Sequence, residues 1–338
     1  METYKLARLH ALGGPEVLQI ETAPIPTPGA GEVLLRMLSI GVTQGDAMYR
    51  RGTYLEKPTF PTGIGTEVCG VVEVKGAGVS NLQVSDRVSS LSTFSINRYP
   101  AYGEYAVLPA TALWATPREL TDHEGAAYRL AFVSMYLALI REARLKVGEW
   151  VLLTAAASTT ALAAAQIAQM AGARVIGVVR GADKAEALGK EPGFTHVLTE
   201  GPTLAQTVQE MSGGGVQVIL DPVLGPASEA LGGLCGRRAR IVHYGALAGP
   251  AATHSIYHLA PKFLSVQGFT IYGYSGSDLM NIPRDEPGLA EAEAFVAFGV
   301  AAGALRPKVA RVFKLDDVVE AHRALETGRH IGKIVLEP

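Results

Sequence analysis

The chain has 338 residues, of which 48% are apolar and 18% charged, with a formal net charge of −2; this is long enough for two domains with separate cores and ordinary for a soluble enzyme. That balance gives no reason to expect nucleic acid as a partner, and no apolar run reaches the about 18–20 residues that a membrane-spanning helix needs. No basic-then-apolar signal opens the chain, so residence in the cytosol is the expectation, and the two cysteines, Cys69 and Cys235, offer neither a disulfide framework nor a structural zinc site.

Residues 1 to about 125 are rich in Gly, Pro and short alternating runs such as Glu32–Leu38 and Gly70–Lys75, the pattern of a β-barrel-like domain of many short strands. From Glu124 the pattern changes: residues 126–141 have helical spacing and are apolar nearly all round, which predicts a buried helix linking two domains. Trp150–Thr154 reads as a short buried strand, Ala155–Ala171 as a helix stopped by Gly172, and Arg174–Val179 as a second buried strand. A third strand near His196–Leu198, a helix at Leu204–Met211, a glycine turn at Gly213–Gly215, a fourth strand at Val216–Leu220 and a fifth around Ala239–Tyr244 follow. Strands alternating with helices in this way predict an α/β domain with a parallel, doubly wound sheet. The segment from Gln267 onward, with a helix over Leu289–Gly303 and a final strand Lys333–Leu336, is expected to return to the first domain.

The strand–turn–helix at 150–171 carries the chemistry. Such a unit aims the N-terminal amides of its helix past the strand ends, where they favour an anion such as a dinucleotide pyrophosphate. In place of a G-x-G-x-x-G fingerprint stand Ala156, Ala157, Ser158, Thr159, Thr160 and Ala161, with no glycine at all. Each missing glycine puts a Cβ where backbone would approach phosphate, so weak binding is one reading. The other is that the hydroxyls of Ser158, Thr159 and Thr160 compensate, as caps or as donors to phosphate. After the second strand, where an NAD site carries an acidic residue, the chain has Arg180 and Lys184, cations suited to a 2′-phosphate, or else solvated surface charges. The eight histidines show no H-E-x-x-H spacing; His254 and His258, four apart, read as a surface pair.

Together these motifs make a family resemblance. Gly13-Gly14-Pro15-Glu16-Val17-Leu18, Gly41-Val42-Thr43-Gln44-Gly45-Asp46 with Arg50, Gly52 and Tyr54, Gly65–Val72, Gly76–Val79, Asp86-Arg87-Val88, Gly103-Glu104-Tyr105, Ala155–Gln166, Asp221-Pro222-Val223, Tyr244-Gly245 and His330–Leu336 occur in the order seen in the medium-chain dehydrogenase/reductase superfamily. Over nearly its full length the chain resembles the zinc-free quinone oxidoreductase branch. The resemblance implies a GroES-like catalytic domain at 1–125 and 268–338, a Rossmann dinucleotide-binding domain at 126–267, and a cofactor held in the cleft between them.

It also implies the site residues. Thr43 stands where relatives carry an active-site Asn, Tyr54 lines the substrate pocket, and Met48 and Tyr49 add an apolar wall. Ser134 aligns with a Thr at the nicotinamide end, or is a small residue packed in an apolar helix. Tyr244, Gly245, Ala246 and Leu247 pass the nicotinamide ring, and Lys333 reaches the cofactor from the C-terminal side or lies at the surface. Thr43 and Thr66 replace zinc ligands of the metal-dependent relatives, so no metal is expected. The implied activity is NADP(H)-dependent reduction of a quinone or an α,β-unsaturated carbonyl compound by a cytoplasmic homodimer, with no membrane partner. The glycine-free turn keeps a second reading open: a cofactor-weak or non-redox member acting as a binding protein, cyclase or isomerase.

Overall fold

The computed structural model describes residues 2–277 and 280–338. It divides into two compact units, one of Met1–Leu130, Ser275–Asp285 and Arg306–Pro338, the other of Ala131–Tyr274 and Glu286–Leu305.

The first unit is built on two sheets. A three-stranded sheet places Thr3–Leu9 between Leu18–Pro24 and Thr62–Gly63. A seven-stranded sheet is organised around the long strand Glu32–Val42, which pairs antiparallel with Glu67–Lys75, Tyr105–Pro109 and Lys333–Glu337. Val33, Leu35, Met37, Ile40 and Val42 of that strand are buried in one apolar core with Val68, Val72, Leu108, Ile334 and Leu336. Its position at the centre of the barrel-like sheet is what draws distant chain segments together: Gly41 lies opposite Glu67 on one side and Val335 on the other. The helix Val318–Thr327 connects the parallel pair Val309–Lys314 and Lys333–Glu337.

In the second unit six parallel strands form one sheet. Numbered by their occurrence in the unit, the order is third, second, first, fourth, fifth, sixth, which is the doubly wound Rossmann arrangement anticipated from the alternating pattern. The first strand, Trp150–Leu153, is buried throughout and lies between Arg174–Val179 and Val216–Asp221. The following helix, Thr159–Met170, buries Ala161 through Ala168 without interruption; short alanine side chains let it lie close against the sheet on more than one face.

Several expected boundaries shift. Residues 155–158 form a turn, so the helix begins at Thr159 rather than Ala155. The expected linking helix runs over Asp122–Tyr136 and continues as a π-helical turn over Leu137–Glu142. A sixth strand, Ser265–Gly268, extends the parallel sheet where the sequence reading had the chain leaving it. The helix at Glu286–Ala301, expected to close the barrel, groups with the second unit instead. Its Gly299 lies so close to Leu305 and Met170 that a Cβ there would stand 2.5 Å from the first and 3.1 Å from the second, and Glu291 accepts hydrogen bonds from the Tyr136 hydroxyl (2.6 Å) and Arg141 (2.7 Å).

Candidate active site

In the second unit, the carboxyl end of the first strand is the point from which the sheet is wound in both directions, and ligands of such sheets bind there. Thr154 N–H donates to the Leu220 carbonyl at 3.2 Å and Ala156 N–H to the Val178 carbonyl at 3.1 Å, tying the turn to both neighbouring strands. Ala155 holds φ +45°, a left-handed conformation usual for glycine. The room that glycines would have provided inside the turn comes from the facing strand: a Cβ on Gly177 would stand 3.0 Å from the Ala156 Cβ. Ser158 caps the helix by accepting the Ala161 N–H at 3.2 Å. Ala156, Ala157 and Ala161 are buried, the last with its amide committed to the cap, whereas Ser158, Thr159 and Thr160 are part-exposed.

Arg180 is exposed directly after the second strand, and Gly181 turns the chain with φ +87°. Lys184 lies one helical turn on; its ammonium is held below the ordinary range by burial first and by the Arg180 charge second. Two cations thus share the end of this strand, the place that decides between a ribose hydroxyl and a ribose phosphate. Glu200, also exposed, donates its backbone N–H to the Val179 carbonyl at 3.0 Å, so a carboxylate stands beside the pair.

At the end of the fifth strand, Tyr244 leans back across the turn. Its hydroxyl lies 3.2 Å from Thr160 Oγ1, and burial pushes the phenol up to about 12. Gly245 passes the backbone of Pro222 so closely that a Cβ there would stand 2.9 Å from its carbonyl oxygen. Ala246 is part-exposed, and Leu247 is exposed while its N–H donates to the Pro222 carbonyl at 3.0 Å. Ser134 is buried within the helix Asp122–Tyr136.

The first unit holds a buried polar centre. Thr43 caps the helix Gln44–Arg50 in a reciprocal box with Asp46: the Asp46 N–H donates to Thr43 Oγ1 at 3.0 Å, and the Thr43 hydroxyl donates to Asp46 Oδ2 at 2.8 Å. The single proton of that hydroxyl is therefore spent on Asp46. Tyr102 also donates to Asp46 Oδ2, at 3.0 Å. Burial lifts the Asp46 carboxyl to about 6, against the lowering pull of the Thr43 hydrogen bonds, the Lys333 charge and Tyr102. Tyr54 is part-exposed, packed on the apolar core. Tyr49, expected as a pocket wall, is instead fully buried, its hydroxyl donating to Asn97 Oδ1 at 2.8 Å.

Lys333, expected to reach the cofactor, instead directs its ammonium to Glu67 Oε2 at 2.7 Å, with only 5% and 8% of the two side chains exposed. The lysine stem passes over Gly41, where a Cβ would stand 2.7 Å from Lys333 Cε, so glycine is needed at this point of the central strand. We expect Lys333→Met to cost about 3–5 kcal/mol, because it leaves the Glu67 carboxylate buried without its cation. Adding Glu67→Gln should recover most of that loss; equal stability of the single and double variants in denaturant titrations would refute this coupling.

Neither Asp46 and Tyr102 nor the polar chain around Asp221 was assigned a role from sequence. Asp46 lay inside a recognised motif, but its burial depends on Tyr102, 56 positions away. His254 does not pair with His258 at the surface as expected; its Nε2 lies 3.0 Å from His243 Nε2.

A GroES-like barrel domain and a doubly wound parallel sheet, with a helix N-terminus and a basic pair at the sheet's carboxyl edge, define the architecture of a dinucleotide-dependent dehydrogenase or reductase. The alcohol dehydrogenase GroES-like domain family matches residues 29–118 and the zinc-binding dehydrogenase family residues 192–336. The chain is 28% identical to quinone oxidoreductase of Sus scrofa over 333 residues, covering 97% of this chain and 96% of that protein. It is 29% identical to quinone oxidoreductase of Pseudomonas aeruginosa, covering 99% of each. Among solved structures, Escherichia coli quinone oxidoreductase complexed with NADPH superposes with a TM-score of 0.86 at 28% identity, over 99% of this chain and 100% of that one. The chain belongs to the medium-chain dehydrogenase/reductase superfamily, in its quinone oxidoreductase branch.

Proposed function

We propose that the protein is an NADPH-dependent reductase that works without zinc and reduces a quinone or the carbon–carbon double bond of an α,β-unsaturated carbonyl compound. The observation that carries this reading is the pair Arg180 and Lys184 sharing the end of the second strand of a 3-2-1-4-5-6 sheet, with the Arg180 charge lowering the lysine. Two cations brought together in this way are relieved by a dianion, and a 2′-phosphate is the dianion that this position of the fold meets. When bound, the cofactor supplies the hydride.

The chain's own residues supply binding and orientation. Ser158, Thr159 and Thr160 present hydroxyls at a helix N-terminus, where the dipole favours a pyrophosphate. Tyr244 restrains Thr160 through its hydroxyl, and Gly245 permits close approach of backbone to the nicotinamide end. In this reading Tyr54 holds the substrate oxygen by a hydrogen bond, and the final proton comes from it or from solvent. The zinc positions of metal-dependent relatives carry Thr43, whose hydroxyl proton is given to Asp46, and Thr66, and threonine hydroxyls are poor substitutes for thiolate and imidazole. Among the described residues no group of three or more His, Cys, Asp or Glu is arranged to hold a metal ion.

The test is fluorescence titration with NADPH. Thr159→Phe places a bulky ring on the approach to the helix N-terminus and should abolish binding by occlusion without unfolding the chain, since Thr159 is part-exposed. A folded Thr159→Phe protein that binds NADPH as the parent does would show that the dinucleotide lies elsewhere, and the non-redox reading prompted by the glycine-free turn would then take precedence.

The same proposal includes a homodimer. Ser265–Gly268 is the last strand of its sheet, with one edge unpaired among the described residues, and the exposed side chains near it include Val266 (38%), Phe263 (61%) and Tyr257 (86%). An edge strand with apolar neighbours is a template for pairing with a second copy. Sedimentation should give twice the chain mass, and Val266→Lys should shift the protein towards monomer; a monomeric parent would refute it.

A further inference from the structure

The ends of the fourth and fifth strands of the parallel sheet carry a polar chain that the proposed reduction does not use. Asp221, buried, accepts from Thr154 Oγ1 at 2.5 Å through Oδ1 and lies 2.9 Å from His243 Nδ1 through Oδ2. Its backbone neighbours add to this, with Val223 N–H donating to Oδ1 at 3.2 Å and Leu224 N–H to Oδ2 at 3.0 Å. Both carboxylate oxygens act as acceptors, so the His243 Nδ1–H is directed at Oδ2 and Nε2 faces away from it.

What Nε2 faces is the second imidazole. His254 Nε2 lies 3.0 Å away, with the rings tilted by 40°. His254 is half-buried, so the pair opens to solvent on this side. The segment that delivers it is anchored: Ala248 N–H donates to the Val223 carbonyl at 2.8 Å and Thr253 N–H to Ser228 Oγ at 2.8 Å. Without a ligand the two nitrogens share one proton.

We propose that His243 Nε2 and His254 Nε2 form a binding site for a divalent transition-metal cation of the imidazole-preferring kind, with Cu2+ held most tightly and Zn2+ and Ni2+ less so. The cation takes both Nε2 lone pairs, the proton that lay between them passes to His254 Nδ1 so that both imidazoles stay neutral, and water completes the coordination. The arrangement has the parts of a metal–histidine–carboxylate relay, in which the carboxylate on the far nitrogen orients the ligand and raises its basicity. Two metal–nitrogen bonds of about 2.0–2.1 Å span roughly 2.9–3.4 Å between nitrogens for bond angles from square to tetrahedral, so the observed separation needs almost no adjustment. The ligands proposed are His243 and His254, oriented by Asp221; Thr154 of the turn reaches the site only through its hydrogen bond to Asp221.

Copper(II) titration of the whole protein, followed by electron paramagnetic resonance and by the shift of the unfolding temperature, tests it. One tight equivalent with nitrogen coupling is expected, together with stabilisation reversed by a chelator, since a ligand that binds only the folded state raises its stability. His254→Ala, a half-exposed substitution that leaves the Asp221–His243 pair in place, should weaken binding tenfold or more. His258→Ala should bind as the parent does. Asp221→Asn should keep the copper site and weaken it roughly tenfold to a hundredfold. Equal binding by the parent and His254→Ala, loss of binding in His258→Ala, or no stoichiometric copper in the parent would each overturn the assignment.

Discussion

Replacing Arg180 and Lys184 together by alanine should weaken NADPH binding roughly tenfold to a thousandfold and leave NADH binding nearly unchanged. A charge-assisted hydrogen bond to phosphate is worth about 1.5–3 kcal/mol, and the exposure of Arg180 reduces its share because water and salt screen it. The two cations act on the same phosphate, so each single variant should lose less than half of the combined effect on a logarithmic scale where the remaining cation swings across. Their mutual repulsion also makes a secondary prediction: in Arg180→Ala the Lys184 ammonium should titrate at higher pH than in the parent, because one of the two influences that lower it is gone. Equal losses of NADPH and NADH affinity would sink the assignment of these residues to the 2′-phosphate. The measurement is a pair of fluorescence titrations at fixed, stated ionic strength.

The second large effect lies in the first unit and is a matter of pH. His322 is fully buried, in edge contact with the Tyr102 ring at 5.9 Å between centroids, and neither of its nitrogens has a hydrogen-bond partner among the described residues. Burial, with the nearby charges of Arg50 and Arg51, pushes its imidazole down to about 3. The folded protein therefore keeps His322 neutral while the unfolded chain takes up a proton below about 6.5. Stability from this group is whole above pH 6.5 and is lost as the pH falls towards 3, on the order of 3 kcal/mol of it by pH 4.

Asp46, on the other side of Tyr102, acts in the opposite sense. Its folded carboxyl is raised to about 6, so the folded state takes up a proton before the unfolded state does. At neutral pH the buried charge costs stability, and that cost is relieved as the pH falls from about 6 to about 4. The two slopes oppose each other between pH 6 and 4, and below pH 4 only His322 remains. A parent protein whose stability changes little between pH 6 and 4 and then falls steeply is expected. In His322→Leu the stability relative to the parent should improve by about 3 kcal/mol on going from pH 7 to pH 4. A difference between variant and parent that stays constant over that range, in urea unfolding followed at several pH values, would show that His322 titrates normally.

Much of this architecture was legible in the residues. Short apolar runs such as Trp150–Leu153 and Arg174–Val179 are strands because they are buried on both faces of a parallel sheet, and burial on both faces leaves a continuous apolar signal. The alanine-rich helix, the turn before it and the basic residues after the second strand could all be placed by local pattern. The helix cap at Thr43 was not read from the sequence, although capping involves residues only three positions apart.

What local pattern could not supply was the partner of a group whose partner lies far along the chain. Lys333 and Glu67 are 266 positions apart, and the lysine looked like a surface or cofactor-facing cation until the central strand put Gly41 under its stem. His254 has a sequence neighbour of its own kind four residues on, yet it faces His243, because the fifth strand ends beneath it and the segment between is tied to the fourth strand's loop. The helix Glu286–Ala301 is apolar on nearly every side, so its periodicity names no face; only Met170, Leu305 and the Tyr136–Glu291 bond assign it to the second unit. Burial, and with it the charge state of Asp46 and His322, is likewise a property of the assembled core. Secondary structure and the identity of the fold followed from interactions of short range in sequence, whereas charge pairing, protonation and the site between the two histidines followed from which strands the sheets bring side by side.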